Sequence, residues 1–283
     1  MSSMVENYPI INAPFLYKYG LRLQNSTVSP ATKLSLLAGF CRDVNNVIDI
    51  DLGDNNPNAL GSITSAPIRI DNTVSGPGGI AQGELVTPNT MYAIYIIADS
   101  RDYLPLSALA TNSINVYEVP GPSMPFGYDS YRFIGFWPTD SSSYWQTGYY
   151  FGLGSDLTFF YDTPQITAIT AGTSNTYANV NLNNLVPLYS NIPVYLYTVF
   201  NPGAAGDTLS LRAGLSLSSF GQSVITGQVA SVNTTSISTV LAQNVSISPP
   251  FPSPVVQYKV SGADTVAIYV SGFSVSGAQF VPV

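Results

Sequence analysis

Apolar and polar residues alternate at every second position over several short stretches of the chain. In NVIDIDLGD, Ile48, Ile50 and Leu52 alternate with Asp49 and Asp51, the period of a strand with one face toward water. In TLSLRAGLSL, Leu209 and Leu211 alternate with Ser210 and Arg212. MYAIYIIA, residues 91–98, is apolar on both faces and predicts a central strand of a packed sheet. Further runs rich in β-branched and aromatic residues, among them KLSLLAGF, VYLYTVF and TVAIYVSGF, are separated by clusters of Gly, Pro, Asn and Ser, the turn signals between strands. Ala, Leu, Glu and Lys never gather into a long stripe of 3.6-residue period. The pattern predicts an all-β protein.

The stretch YDTPQITAITAGTSNTY, Tyr161 to Tyr177, divides the chain. Before it aromatic residues are dense; after it Val, Ser and Thr predominate. This shift predicts two β-sandwich, jelly-roll-like domains, residues 18–165 and 166–283, meeting near residues 163–172. Residues 1–17, with Pro9, Pro14 and no alternation, predict a short extended N-terminal arm of the kind that a neighbouring subunit ties down.

Composition narrows the function. Hydrophobic residues make up 45% of the 283 residues and charged ones only 9%, against about 25% charged in an average soluble domain. The polar surface must therefore be neutral hydroxyls and amides, which suits packing against copies or other subunits. The net charge is −7 and the nine basic residues are spread singly, so no cationic stripe awaits a nucleic acid. No apolar run approaches the roughly 18 to 20 residues of a membrane helix, so membrane insertion is not expected, and the first fifteen residues lack the pattern of a secretory signal. There is no histidine, which removes Ser-His-Asp and Cys-His chemistry together with the commonest transition-metal ligand. GPGG at 76–79 lacks the lysine of a phosphate loop. The single cysteine, Cys41, excludes an internal disulfide and reads as a small buried hydrophobe. No cofactor and no enzymatic activity are expected.

The densest acidic group is Asp43, Asp49, Asp51 and Asp54. Asp49 and Asp51 share one strand face and with Asp54 could offer oxygens to calcium. Their spacing is not that of an EF-hand loop, and a solvated strand face running into an Asp-Asn turn is the expected reading. A glycosidase needs two carboxylates flanking its substrate, and beside the exposed rings only Asp140 and Asp156 come close.

The remaining candidate is PFGYDSYRFIGFWPTDSSSYWQTGYYFG, residues 125–152, which holds both tryptophans. Strict alternation places Tyr131, Phe133 and Trp137 on one face and Arg132, Ile134 and Phe136 on the other. Both faces are bulky, so the strand is expected to be buried on both. Tyr144, Trp145, Tyr149 and Tyr150 lie beyond it, beside TDSSS and Gly148, and are the candidates for a protein interface or a glycan-stacking platform. The low charge favours the protein contact.

The order LSLLAGFCRDVNNVIDIDLG, GGIAQGELVTPNTMYAIYIIAD and SMPFGYDSYRFIGFWPTDSSS resembles a β-rich module of virion structural proteins of tailed bacteriophages and prophages. AAGDTLSLRAG at 204–214 and YKVSGADTVAIYVSGF at 258–273 resemble the closing strands of the same proteins. The resemblance implies a virion protein of tail-fibre or capsid-decoration type. Without shaft repeats, it points to a compact decoration, vertex or minor coat subunit, a homotrimer attached to other virion subunits. A tail-fibre receptor tip that binds host surface carbohydrate is the alternative, with Trp145 and nearby tyrosines as its platform.

Overall fold

The computed structural model describes residues 18–45, 47–53, 67–112, 123–153, 156–163, 166–187, 193–201, 203, 207–213, 224–227, 239–246, 254–262 and 264–276. Strands and turns account for the described residues and no helix occurs among them, so the protein is all-β. The chain divides into two compact units, Met1–Leu157 with Val275–Val283, and Thr158–Ser274.

Eleven strands run through the first unit among its described residues: β1 Lys18–Gly20, β2 Leu23–Asn25, β3 Lys33–Leu36, β4 Gly39–Arg42, β5 Asp49–Leu52, β6 Ile68–Asp71, β7 Gly79–Ile80, β8 Met91–Ala98, β9 Ser107–Thr111, β10 Ser130–Pro138 and β11 Gly148–Leu153. They form a three-stranded sheet in the order β1-β4-β5, a four-stranded sheet in the order β10-β8-β9-β7, and a ladder β11-β2-β3-β6. Pairing is antiparallel except between β7 and β9. The apolar run 91–98 becomes β8, between β10 and β9, with all eight residues buried. In β5 the alternation appears as predicted: Ile50 and Leu52 are fully buried while Asp49 and Asp51 are half-buried.

β10 departs from strict alternation. Phe133 lies opposite Tyr95 and the next paired residue, Gly135, opposite Ile94, so Ile134 is the extra residue of a β-bulge. One extra residue reverses which side chains face which way beyond it. The Phe136 ring therefore joins that of Phe133, with centroids 4.9 Å apart, and Trp137 turns to the other side, 5.9 Å from the Tyr150 ring. The expected grouping of Trp137 with Tyr131 and Phe133 is corrected by this bulge. Both faces are nonetheless buried from Arg132 to Pro138.

The second unit contains most of β12 Asp156–Tyr161, then β13 Ile166–Gly172, β14 Ala178–Asn181, β15 Pro193–Asn201, β16 Leu209–Ala213, β17 Val224–Gly227, β18 Thr239–Ser246 and β19 Val255–Val260, and most of β20 Thr265–Ser276. β15 and β13 pair with β20, β18 pairs with β15, and a separate sheet has the order β14-β19-β16-β17. β15 alternates half-buried and buried positions along almost its whole length, and Leu209 and Leu211 of β16 are buried as their alternation predicts. Phe159 stacks on Phe273 at 5.1 Å within this core.

Candidate functional site

The aromatic segment builds a sheet edge that its own surroundings close. β10 is the outermost strand of its sheet, and a nine-residue edge would ordinarily offer unpaired backbone groups to another chain. Here the Val44 amide donates to the Tyr131 carbonyl at 2.9 Å and Lys18 Nζ to the Ile134 carbonyl at 2.8 Å. The Tyr150 hydroxyl accepts from the Phe136 amide at 2.8 Å and donates to the Phe136 carbonyl at 2.6 Å. The Gln146 amide donates to the Pro138 carbonyl at 3.0 Å. Gly135 makes room for this arrangement, since a Cβ there would lie 2.7 Å from the Tyr150 oxygen.

The polar residues of the segment hold turns. Pro125 to Tyr128 is a β-turn closed by the Tyr128 amide on the Pro125 carbonyl at 3.1 Å. Gly127 takes φ of 92° in it, where a Cβ would also strike Leu104. The Asp129 carboxylate accepts from both the amide and the hydroxyl of Ser100. Thr139 Oγ1 donates to the Thr87 carbonyl at 2.7 Å and accepts from the Thr90 amide at 3.0 Å. Asp140 Oδ1 accepts from the amides of Ser142 and Tyr144. Asp140 thus stabilises a turn, and the side chain of Asp156 lies outside the described residues.

The acidic group around β5 is used similarly. Asp43 is buried and its carboxylate accepts from the amides of Val47 at 2.7 Å, Ile48 at 2.8 Å and Asn45 at 3.3 Å, an arrangement that fixes the turn from β4 to β5. Asp49 is gripped across the two strands by Arg42, through Nε at 2.8 Å and Nη2 at 3.1 Å, the bidentate geometry that planar guanidinium favours. Alternation alone predicts a solvated face here; the cross-strand cation is what it does not reveal. Asp54 lies outside the described residues, and no group of three or more metal-ligating side chains occurs among them.

The structure divides the four candidate rings. Tyr144 and Tyr149 are 48% and 49% exposed. Trp145 and Tyr150 are only 2% and 3% exposed, which leaves them almost no surface for an outside partner. Trp145 stands edge to face with Tyr92, centroids 5.4 Å apart, whereas Tyr150 reaches the β10 edge. Burial pushes the Tyr150 phenol well above its ordinary range, so it keeps the proton that its bond to Phe136 needs. Phe151, absent from the expected set, is 70% exposed and lies two residues from Tyr149 on the same face of β11. The outward face of this strand thus carries Tyr149 and Phe151, not Tyr149 and Tyr150; the signal available in the sequence was the alternation of YYF itself.

Behind β10 lies a cluster that no motif announces. Lys18, Cys41, Asp43 and Arg132 are all buried. Lys18 is the register partner of Cys41 across β1 and β4. Burial, with the Arg132 guanidinium adding to it, lowers the Lys18 amine to about 8. Burial pushes the Cys41 thiol up to about 12, which agrees with its reading as an inert core residue. Burial also holds the Arg132 guanidinium below its usual range.

Neither a protein-family model nor a curated protein sequence matches this chain.

Proposed function

We propose that the chain is a non-enzymatic structural subunit of a tailed-bacteriophage virion, a capsid-associated decoration, vertex or minor coat protein that assembles with copies of itself as a homotrimer. On this reading the two units are jelly-roll-like β-sandwiches, and the partners are other virion subunits, not nucleic acid, cofactor or membrane. The observation that carries the proposal is where the polar groups of the resembling segments go. Asp43, Arg42, Thr139, Asp140 and Asp129 hold turns or a neighbouring strand, as residues of a scaffold do, while the exposed rings of the aromatic segment are Phe126, Tyr144, Tyr149 and Phe151. The sparse charge of the chain supports association through apolar and neutral polar contacts. The receptor-tip alternative has lost its tryptophan, since Trp145 is buried, and it now rests on tyrosine and phenylalanine alone.

The test is to image particles carrying a C-terminal label and to weigh the purified protein by light scattering. Label at defined positions on head or neck, with a trimer in solution, supports the proposal. A protein that is missing from particles, or a monomer whose label marks the tip of a fibre, overturns it.

A further inference from the structure

Lys18 opens β1, a three-residue strand at the edge of the sheet β1-β4-β5. The chain leading into it, residues 1–17, carries Glu6 as its one charged side chain. A buried ammonium is costly unless a counter-charge faces it, yet Lys18 stands in no ion pair among the described residues. Its acceptor is the neutral Ile134 carbonyl at the bulge of β10. Three further groups share this interior: the Arg132 guanidinium from β10, the Cys41 thiol from β4, and the Asp43 carboxylate from the turn after β4, which is engaged by backbone amides. Asp49 of β5, the more distant charge acting on Cys41, is held by Arg42.

The exit from β1 is also under constraint. Gly20 and Leu21 both take positive φ, 66° and 49°, and Leu21 is a residue that adopts this region at a cost. The strand therefore combines little pairing, a strained connection and a side chain whose charged form prefers water.

We propose that β1 is a releasable latch on the β10 edge: protonation of Lys18, seated beside the like charge of Arg132, favours departure of β1 from β4, so that the strand is freed more readily at neutral than at alkaline pH. When β1 leaves, Lys18 regains the proton affinity of a solvated amine, Cys41 loses its neighbour, and the Ile134 carbonyl opens to solvent. The Arg132 guanidinium adds like-charge repulsion to the desolvation cost of the protonated Lys18. The amine falls from 10.5 in water to about 8 when seated, so the opening constant can change by at most about 300-fold between the two limits.

Cys41 reports the opening. Its labelling by a small thiol reagent is followed from pH 7.5 to 9.5 in the full chain and in Lys18→Met, and the ratio of the two rates cancels the ionisation of the exposed thiol. The ratio is expected to fall about twentyfold over this range, following the proton affinities of the seated and solvated amine. Lys18→Arg, charged at every pH, should show no such fall relative to Lys18→Met, and the ratio of the native chain to Lys18→Arg should fall by the same factor, which keeps the test available if Lys18→Met is unstable. Weak dependence of the labelling rate on low urea marks local opening and not global unfolding. A ratio for the native chain that is constant with pH, or labelling that follows global unfolding only, overturns the proposal.

Discussion

The hydroxyl of Tyr150 closes both backbone hydrogen bonds of Phe136, fourteen residues earlier in the chain. A neighbouring strand would have supplied an acceptor and a donor at this position; one phenol supplies both, and no further strand can pair there while it does.

Tyr150→Phe removes that single oxygen and strands a buried amide and a buried carbonyl together. Each such orphan costs about 1 to 3 kcal/mol, so a loss of about 2 to 6 kcal/mol in urea unfolding is expected. Gly135→Ala should also destabilise, because its new methyl meets the Tyr150 oxygen at 2.7 Å. In the double variant the methyl no longer meets the hydroxyl, so the two losses should fall short of additivity by about 1 kcal/mol or more. Strict additivity would mean that Gly135 is required for another reason.

Stability should rise with pH just above neutrality. Lys18 is lowered from 10.5 to about 8 in the fold, so the folded state binds fewer protons than the unfolded chain between those values, and the penalty of the buried charge is relieved as pH rises through them. Cys41 is raised from 9.0 to about 12; its contribution is complete below pH 9 and is lost as pH rises toward 12. From pH 8 to 9 Lys18 acts alone, with a ceiling of about 1.4 kcal/mol per pH unit. From 9 to 10.5 the two oppose each other, and above that Cys41 and Tyr150 both favour unfolding. Urea midpoints measured relative to Lys18→Met should climb between pH 8 and 9; a difference that stays flat would contradict the buried cation.

Much of the strand pattern was legible because burial imposes period two directly on the residues. β5, β8 and β16 each follow from their own letters. The faces of β10 did not, because a bulge needs only one extra residue and Ile134 looks like any other member of the run. Nor did the division of Tyr149, Tyr150 and Phe151 between surface and core follow from composition: all three are aromatic, and only the registration of β11 tells them apart. Lys18 escaped notice for a different reason. A lysine beside Tyr and Gly reads as surface, and its burial depends on an acceptor 116 positions away.

The exposed face of β11 supplies the remaining test. Tyr149→Ser with Phe151→Ser changes one half-exposed ring and one largely exposed ring, so the unfolding free energy of the monomer in urea should change by no more than about 1 kcal/mol. If these rings join subunits, the assembly in light scattering should dissociate, and the native assembly should survive about 1 M salt, where charge pairs are screened within roughly 3 Å. An assembly unaffected by the double substitution would place the contact elsewhere.

The closure of β10 also has a chronology. Lys18 and Val44 have left the ribosome before β10 is made, and Gln146 and Tyr150 follow within a dozen or so residues of its end. Every group that seals this edge is thus synthesised before the second unit begins at Thr158. The nascent chain can hide the described strand that carries the most rings without waiting for its second half, and shortens the interval in which neighbouring polysome products could pair along it.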